Sequence, residues 1–117
     1  MVNKSQMVDM LTAGMRGASA RQRVIADNIA NVQTPGYRRK TIPFEQALAR
    51  AMASGEVPTS LQTKIMMPNT TPVDETGNNV DIEMEVGELV KNSSAYKTYL
   101  RMLSKVYRQM ELAMTVQ

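Results

Sequence analysis

Apolar residues divide the chain into two long periodic stretches separated by one with no period. From residue 5 to residue 31, Met7, Leu11, Gly14, Met15, Ala18, Ile25, Ala26 and Ile29 recur at intervals of three, four, seven or eleven, which places them on one side of an α-helix. Gln22 interrupts the stripe. The eleven-residue steps from Met7 to Ala18 to Ile29 suit a nearly straight helix. Gly14 costs roughly 1 kcal/mol against alanine inside a helix. Together with Ala18 it makes a small-residue surface that another backbone can approach closely.

From residue 81 to about residue 115 the period is sharper. Ile82, Val86, Leu89, Ser93, Tyr96, Leu100, Leu103, Tyr107, Met110 and Met114 alternate spacings of four and three, a heptad seam with Ser93 as its polar interruption. At ~1.5 Å per residue this helix is roughly 50 Å long. The rest of the chain is too small to cover it, so a partner helix is expected. Asp81 is placed to cap its start, with Glu83 and Glu85 in the positive first turns. Lys97, Arg101, Lys105 and Arg108 lie toward the negative end.

Residues 32 to 80 hold every proline: Pro35, Pro43, Pro58, Pro68 and Pro72. Long helices are excluded there. Phe44, Ala47, Leu48 and Ala51 mark a short helix from Phe44 to Met52. Residues 54 to 79, rich in Ser, Thr, Pro, Gly and Asn, read as a surface excursion. The expected architecture is a single all-α unit. Its two long helices, 5–31 and 81–115, are joined by a Pro/Gly-rich irregular segment, 32–80, that carries the short helix.

Composition narrows the chemistry. In 117 residues there is no Cys and no His, which removes thiol nucleophiles, Cys-ligated zinc, the commonest metal ligand and the usual general base. The pair Glu83/Glu85 is no more than ordinary helix-start acids. No catalytic residue, cofactor, metal or small-molecule substrate is expected. The 11 methionines suit irregular helix interfaces rather than a soft-metal site. Net charge is +3, concentrated in residues 1–53, which carry eight basic and three acidic groups. The one basic run, Arg38-Arg39-Lys40, reads first as a solvated turn edge, with a protein contact and then a phosphate-binding site as the alternatives. A competing reading is a small basic helical nucleic-acid binder using Arg16, Arg21, Arg23, Arg38, Arg39 and Lys40. No apolar stretch reaches the ~18 residues that span a membrane. Ser5, Gln6 and Asp9 break any secretory signal core, and no cleavage site follows.

The informative stretch runs from Ala26 through Asp27, Asn28, Ile29, Ala30, Asn31, Val32, Gln33, Thr34, Pro35 and Gly36 to Tyr37. It reads as a helix end followed by a rigid corner. Asn31 suits a left-handed closing position, Pro35 presets φ, and Gly36 permits the positive φ of a type II turn. Asn28 and Asn31 share a helical face and can tie the corner to a neighbouring helix, with Tyr37 as an amphipathic anchor beyond it.

This combination resembles the signature of the bacterial flagellar axial proteins, the family of rod, hook and hook-associated subunits. Asp27 is a mild variation on it. Within the family the match is to the proximal rod type. Arg21-Gln22-Arg23-Val24-Ile25 is similar to the run into the motif and Phe44-Glu45-Gln46-Ala47-Leu48 to the element after the corner. Gly77-Asn78-Asn79-Val80-Asp81 is similar to the entry into the last helix, and Asn92-Ser93-Ser94-Ala95-Tyr96 to its central signature. The resemblance implies a non-enzymatic structural subunit. Its terminal helices pair as a coiled-coil inner domain and stack helically into a periplasmic rod that transmits torque and lines an export channel. It implies copies of the chain, other rod proteins, the membrane (MS) ring and rod-adaptor proteins, and the flagellar type III export apparatus as partners, with export requiring no cleaved signal peptide. No nucleic acid is among them. The residues expected to fix the corner are Asn28, Asn31, Pro35, Gly36 and Tyr37. The helix seams are expected to use Met7, Leu11, Ala18, Ile25, Ile29, Leu89, Tyr96, Leu100, Leu103 and Tyr107. Intrachain pairing and packing between subunits are both open for these seams.

Overall fold

The computed structural model describes residues 3–56 and 64–115. It is an elongated body of 67 × 24 × 16 Å. Three helices follow one another: α1 (Lys4–Ala30), α2 (Glu45–Ser54) and α3 (Ile82–Thr115). The only β feature among the described residues is an isolated antiparallel bridge between Thr41 and Met66. Residues 57–63, including Pro58 of the expected surface excursion, lie outside the described residues.

Local chemistry sets the helix ends. Asn3 caps α1 in a reciprocal box with Gln6, each side chain holding the other's backbone N–H. Asp81 accepts from the backbone of Glu83 and Met84, capping α3 as its side chain and position dictate. Gly55 stops α2 with φ 73°. At the end of α1, however, Asn31 does not enter the left-handed region. Its φ is −107°. Its backbone N–H reaches back to the carbonyls of Asp27 and Asn28, and its side-chain amide donates to Asp27 O, so the last turn is closed without a left-handed residue.

α3 runs antiparallel to α1. Glu85 lies beside Asn28, Asn92 beside Ala18 and Tyr99 beside Gly14. Continuing that register puts Lys4 opposite Arg108, so the last two turns of α3 project beyond the start of α1. The face of α3 turned to α1 is Glu85, Asn92, Tyr99 and Val106, a heptad row of which all but Tyr99 are fully buried. This row is one step away from the seam read in the sequence. Leu89, Leu103 and Met110 lie at its edge, half-buried, while Tyr96, Leu100 and Tyr107 are 38%, 45% and 53% exposed.

α1 is shared between two partners. One side meets α3, and another meets α2 and the strap before it, through a core of Met10, Ala13, Ala18, Val24, Ile42, Phe44 and Leu48, with Tyr99 packed against it. Leu11 and Ile25 are buried, Ile29 is half-buried and Met7 is exposed. Phe44 is the chain's one phenylalanine and is 1% exposed. Its ring lies against Gly17, where an added Cβ would come within 2.6 Å of ring carbons. The Arg21 guanidinium sits 4.5 Å from the ring centroid on a cation–π contact. Gly14 admits the Tyr99 ring in the same way. The close approach foreseen at Gly14 is therefore made by an aromatic side chain rather than by a backbone.

Candidate assembly interface

The corner is built from segments far apart in sequence. Residues 34–37 form a turn in which Tyr37 N–H donates to Thr34 O at 3.2 Å, with Pro35 and Gly36 between them and Gly36 at φ 76°. A second turn backs onto it. Gly36 N–H donates to Thr76 O at 2.8 Å, and Asn78 Nδ2 donates to the carbonyls of both Asn31 and Thr34 at 2.8 Å. Asp74 organises that second turn by accepting from Thr76 and Asn78, and these bonds, led by the Thr76 hydroxyl, hold its carboxyl below the usual range.

Asn28 is the hub. Its side-chain amide pairs with the backbone of Lys40 in both directions, donating to Lys40 O at 2.9 Å and accepting from Lys40 N–H at 3.0 Å. It also donates to Glu85 Oε2 at 3.1 Å and accepts from the Tyr37 hydroxyl at 3.2 Å. All four of its hydrogen-bonding positions are used. Burial, with the nearby Asp27 and Glu85 charges, pushes the Tyr37 phenol upward, so it stays a neutral donor.

Glu85 takes the other half of the lock. It is completely buried, and Arg39 Nε donates to its Oε1 at 2.6 Å while Asn79 Oδ1 accepts from Arg39 N–H at 2.6 Å. Arg39 is therefore not part of a solvated turn edge, as its place in a basic run suggested. Nor is Glu85 an ordinary helix-start acid, since removing it leaves a buried cation without a counter-charge. Asn78, Asn79, Arg39 and Glu85 were not among the expected corner residues. A faint signal existed: Glu85, Asn92, Tyr99 and Val106 keep heptad spacing beside a seam that already had one. Asn92 continues the polar row, donating to Ala18 O and to Gln22 Oε1, the residue that interrupts the α1 stripe.

Beyond the corner the described face changes character. Arg21 bonds Ile42 O and forms an ion pair with Glu45. Burial pushes the Glu45 carboxyl upward, but the Arg21 hydrogen bond and charge, with a backbone bond and the Lys91 charge, together outweigh it and leave the group below its ordinary range. With Arg21 and Arg39 both committed inside the fold, the basic set offered for nucleic acid is broken up. Among the charged residues exposed on α3 stand large apolar ones: Ile82, Val86, Val90, Tyr96, Leu100, Tyr107 and Met114 are all exposed, from 38% to 75%. No helix among the described residues is long and apolar enough to cross a membrane.

Two long helices locked at one end, with an uncovered apolar stripe along the longer, define a structural subunit that builds assemblies. The family profile for flagella basal body rod protein matches residues 10–38, the stretch from the middle of α1 through the corner. Three relatives agree. The chain is 32% identical to the flagellar basal body rod protein FlgB of Escherichia coli strain K12, over 84% of this chain and 90% of the relative. It is 33% identical to that of Aeromonas hydrophila, over 74% and 75%, and 25% identical to that of Bacillus subtilis strain 168, over 95% of each. The chain belongs to the FlgB family of flagellar basal body rod proteins, a structural and not an enzymatic class.

Proposed function

We propose that the chain is a proximal rod subunit whose outer α3 face packs against neighbouring subunits, giving a helical tube that transmits motor torque and surrounds an export channel. The observation that carries this reading is the exposed heptad stripe Val86, Leu100, Tyr107 and Met114 on a helix already paired on its other side. Burying each large apolar side chain contributes roughly 1.5–3 kcal/mol before entropic losses. A slip between subunits would expose that area and strand polar groups, so stiffness needs no bond making. Asn28, Asn31, Pro35, Gly36 and Tyr37 fix the angle at which the helices leave the corner. Partners are copies of the chain, other rod proteins, the MS ring and its adaptor, and the type III export apparatus, through which the subunit reaches a periplasmic position without a cleaved signal peptide.

In-frame deletion of the gene tests this. Electron cryotomography should show membrane rings without a rod and swimming should stop, both restored by the intact gene. Complete flagella in a deletion strain with no duplicate gene would exclude the role.

A further inference from the structure

The strap and α2 lie on one side of the paired long helices, with Glu88, Lys91 and Ala95 of α3 bordering the strap. On the other side a groove is left open. Its middle is a notch of about 340 Å³ between Ala18, Ser19 and Gln22 of α1 and Ser93, Tyr96 and Lys97 of α3, floored by Asn92, whose amide donates to Gln22 Oε1. Helical spacing extends both walls. Val8, Met15, Ala26 and Ile29 continue the α1 wall, Leu89, Leu100 and Leu103 continue the α3 wall, and none of these is fully buried. The groove is therefore apolar toward both ends and polar at its waist.

Its charge is one-sided. Residues 10–26 and 89–110 contain no Asp or Glu. Arg16 and Arg23 stand exposed on the α1 rim, Lys97 and Arg101 on the α3 rim, and among the described residues none of the four has an ionic partner. Helix-dipole compensation does not explain them, because that effect fades within the terminal turns and all four lie further in.

Resting on the rod reading, we infer that this groove receives an amphipathic α-helix of a different protein of the rod assembly, with acidic residues flanking its apolar face and a small or polar residue opposite the waist. Length and charge choose that occupant. From Val8 to Ile29 the groove runs roughly 30 Å at ~1.5 Å per residue, which suits a helix lying along it. Its apolar face covers the walls, and its acids meet the rim cations. A second copy fails on charge. Over these spans its own α1 and α3 bring only more cations, and acids such as Asp74, Glu75, Asp81 and Glu83 are gathered at its corner end. A nucleic-acid backbone would use the rim cations but leave the apolar walls uncovered. The contact joins unlike surfaces, so it suits a junction between different subunits.

A photo-reactive phenylalanine analogue in place of Tyr96 tests this in the intact assembly. Purified basal bodies are irradiated and the cross-linked peptide is identified by mass spectrometry. The expected peptide comes from another protein, with apolar residues at intervals of three and four and acids beside them. A cross-link to a peptide of this chain, a cross-link to a peptide without acids, or no cross-link in basal bodies that contain the subunit overturns the inference. Absence of the subunit from basal bodies contradicts the rod reading, and the inference falls with it. Charge reversal gives a second readout. Arg23→Glu with Lys97→Glu should lower incorporation by about fivefold or more in chains that remain helical and exported, whereas Lys91→Glu, on the strap side, should leave it unchanged. Normal incorporation of the double variant, or an equal loss from Lys91→Glu, refutes the inference.

Discussion

The two ends of α3 are held by different physics. At the corner, Glu85 is completely buried and joined to Arg39 and Asn28, so the helix start is fixed by directional bonds that tolerate one arrangement. Thirty residues further on, Thr115 and Met114 are exposed beyond the start of α1 and no described residue of the chain covers them. Between these extremes, buried Asn92 still bonds Ala18 O and Gln22 Oε1, and past it Gly14 with Tyr99 and buried Val106 supply apolar contact. The difference teaches that specificity within the chain is concentrated at the corner, while the distal outer face is left available to other subunits.

The comparison breaks most severely at the ion pair. Glu85→Ala leaves Arg39 buried without a counter-charge and should destabilise the free chain by about 3–5 kcal/mol, measured by chemical unfolding. A double variant, Arg39→Met with Glu85→Leu, should recover much of that loss, which separates the lock's geometry from its net energy. Next is Gly17→Val, which drives side-chain atoms into the Phe44 ring and should cost about 1–3 kcal/mol by the same measurement. Gly36→Val forces a β-branched residue to φ 76°. It should cost about 1–3 kcal/mol and disrupt assembly more than helix content. Normal assembly with unchanged stability would contradict the turn assignment.

A smaller effect concerns pH. The Glu45 carboxyl is depressed in the fold by Arg21, so its contribution is present above the ordinary carboxylate range and is lost as pH falls through the lower folded value. Glu45→Gln should flatten that part of the acid limb in a stability–pH profile. Smallest in the free chain is Leu100→Asp, expected to change folding stability by less than about 0.5 kcal/mol while preventing incorporation into rods.

The helices were legible because their patterns are local. The periodicity from Met7 to Ile29 and from Ile82 to Met114, Asp81 as a cap and the Pro35–Gly36 turn each depend on neighbours a few residues away. The partner of each face was not legible. Apolar spacing on α3 marked the strongest stripe, whose outer half stays exposed, while the row that meets α1 contains Glu85 and Asn92 and so does not register as a seam. Arg39 was hidden for a related reason: its counter-charge is 46 residues away, and a run of three basic residues gives no sign that the middle one turns inward. Asn31 closed the helix without the left-handed conformation because its own side chain and backbone N–H could satisfy carbonyls of the last turn.

The central claim is that α3 has an inner row committed to its own chain and an outer row reserved for neighbours. Thiol labelling of Leu100→Cys and Val106→Cys chains, free in solution and in purified basal bodies, tests it most directly. The account predicts fast labelling at position 100 and slow labelling at position 106 in the free chain, with position 100 becoming protected in basal bodies. Equal, fast labelling of position 100 in both states would contradict it.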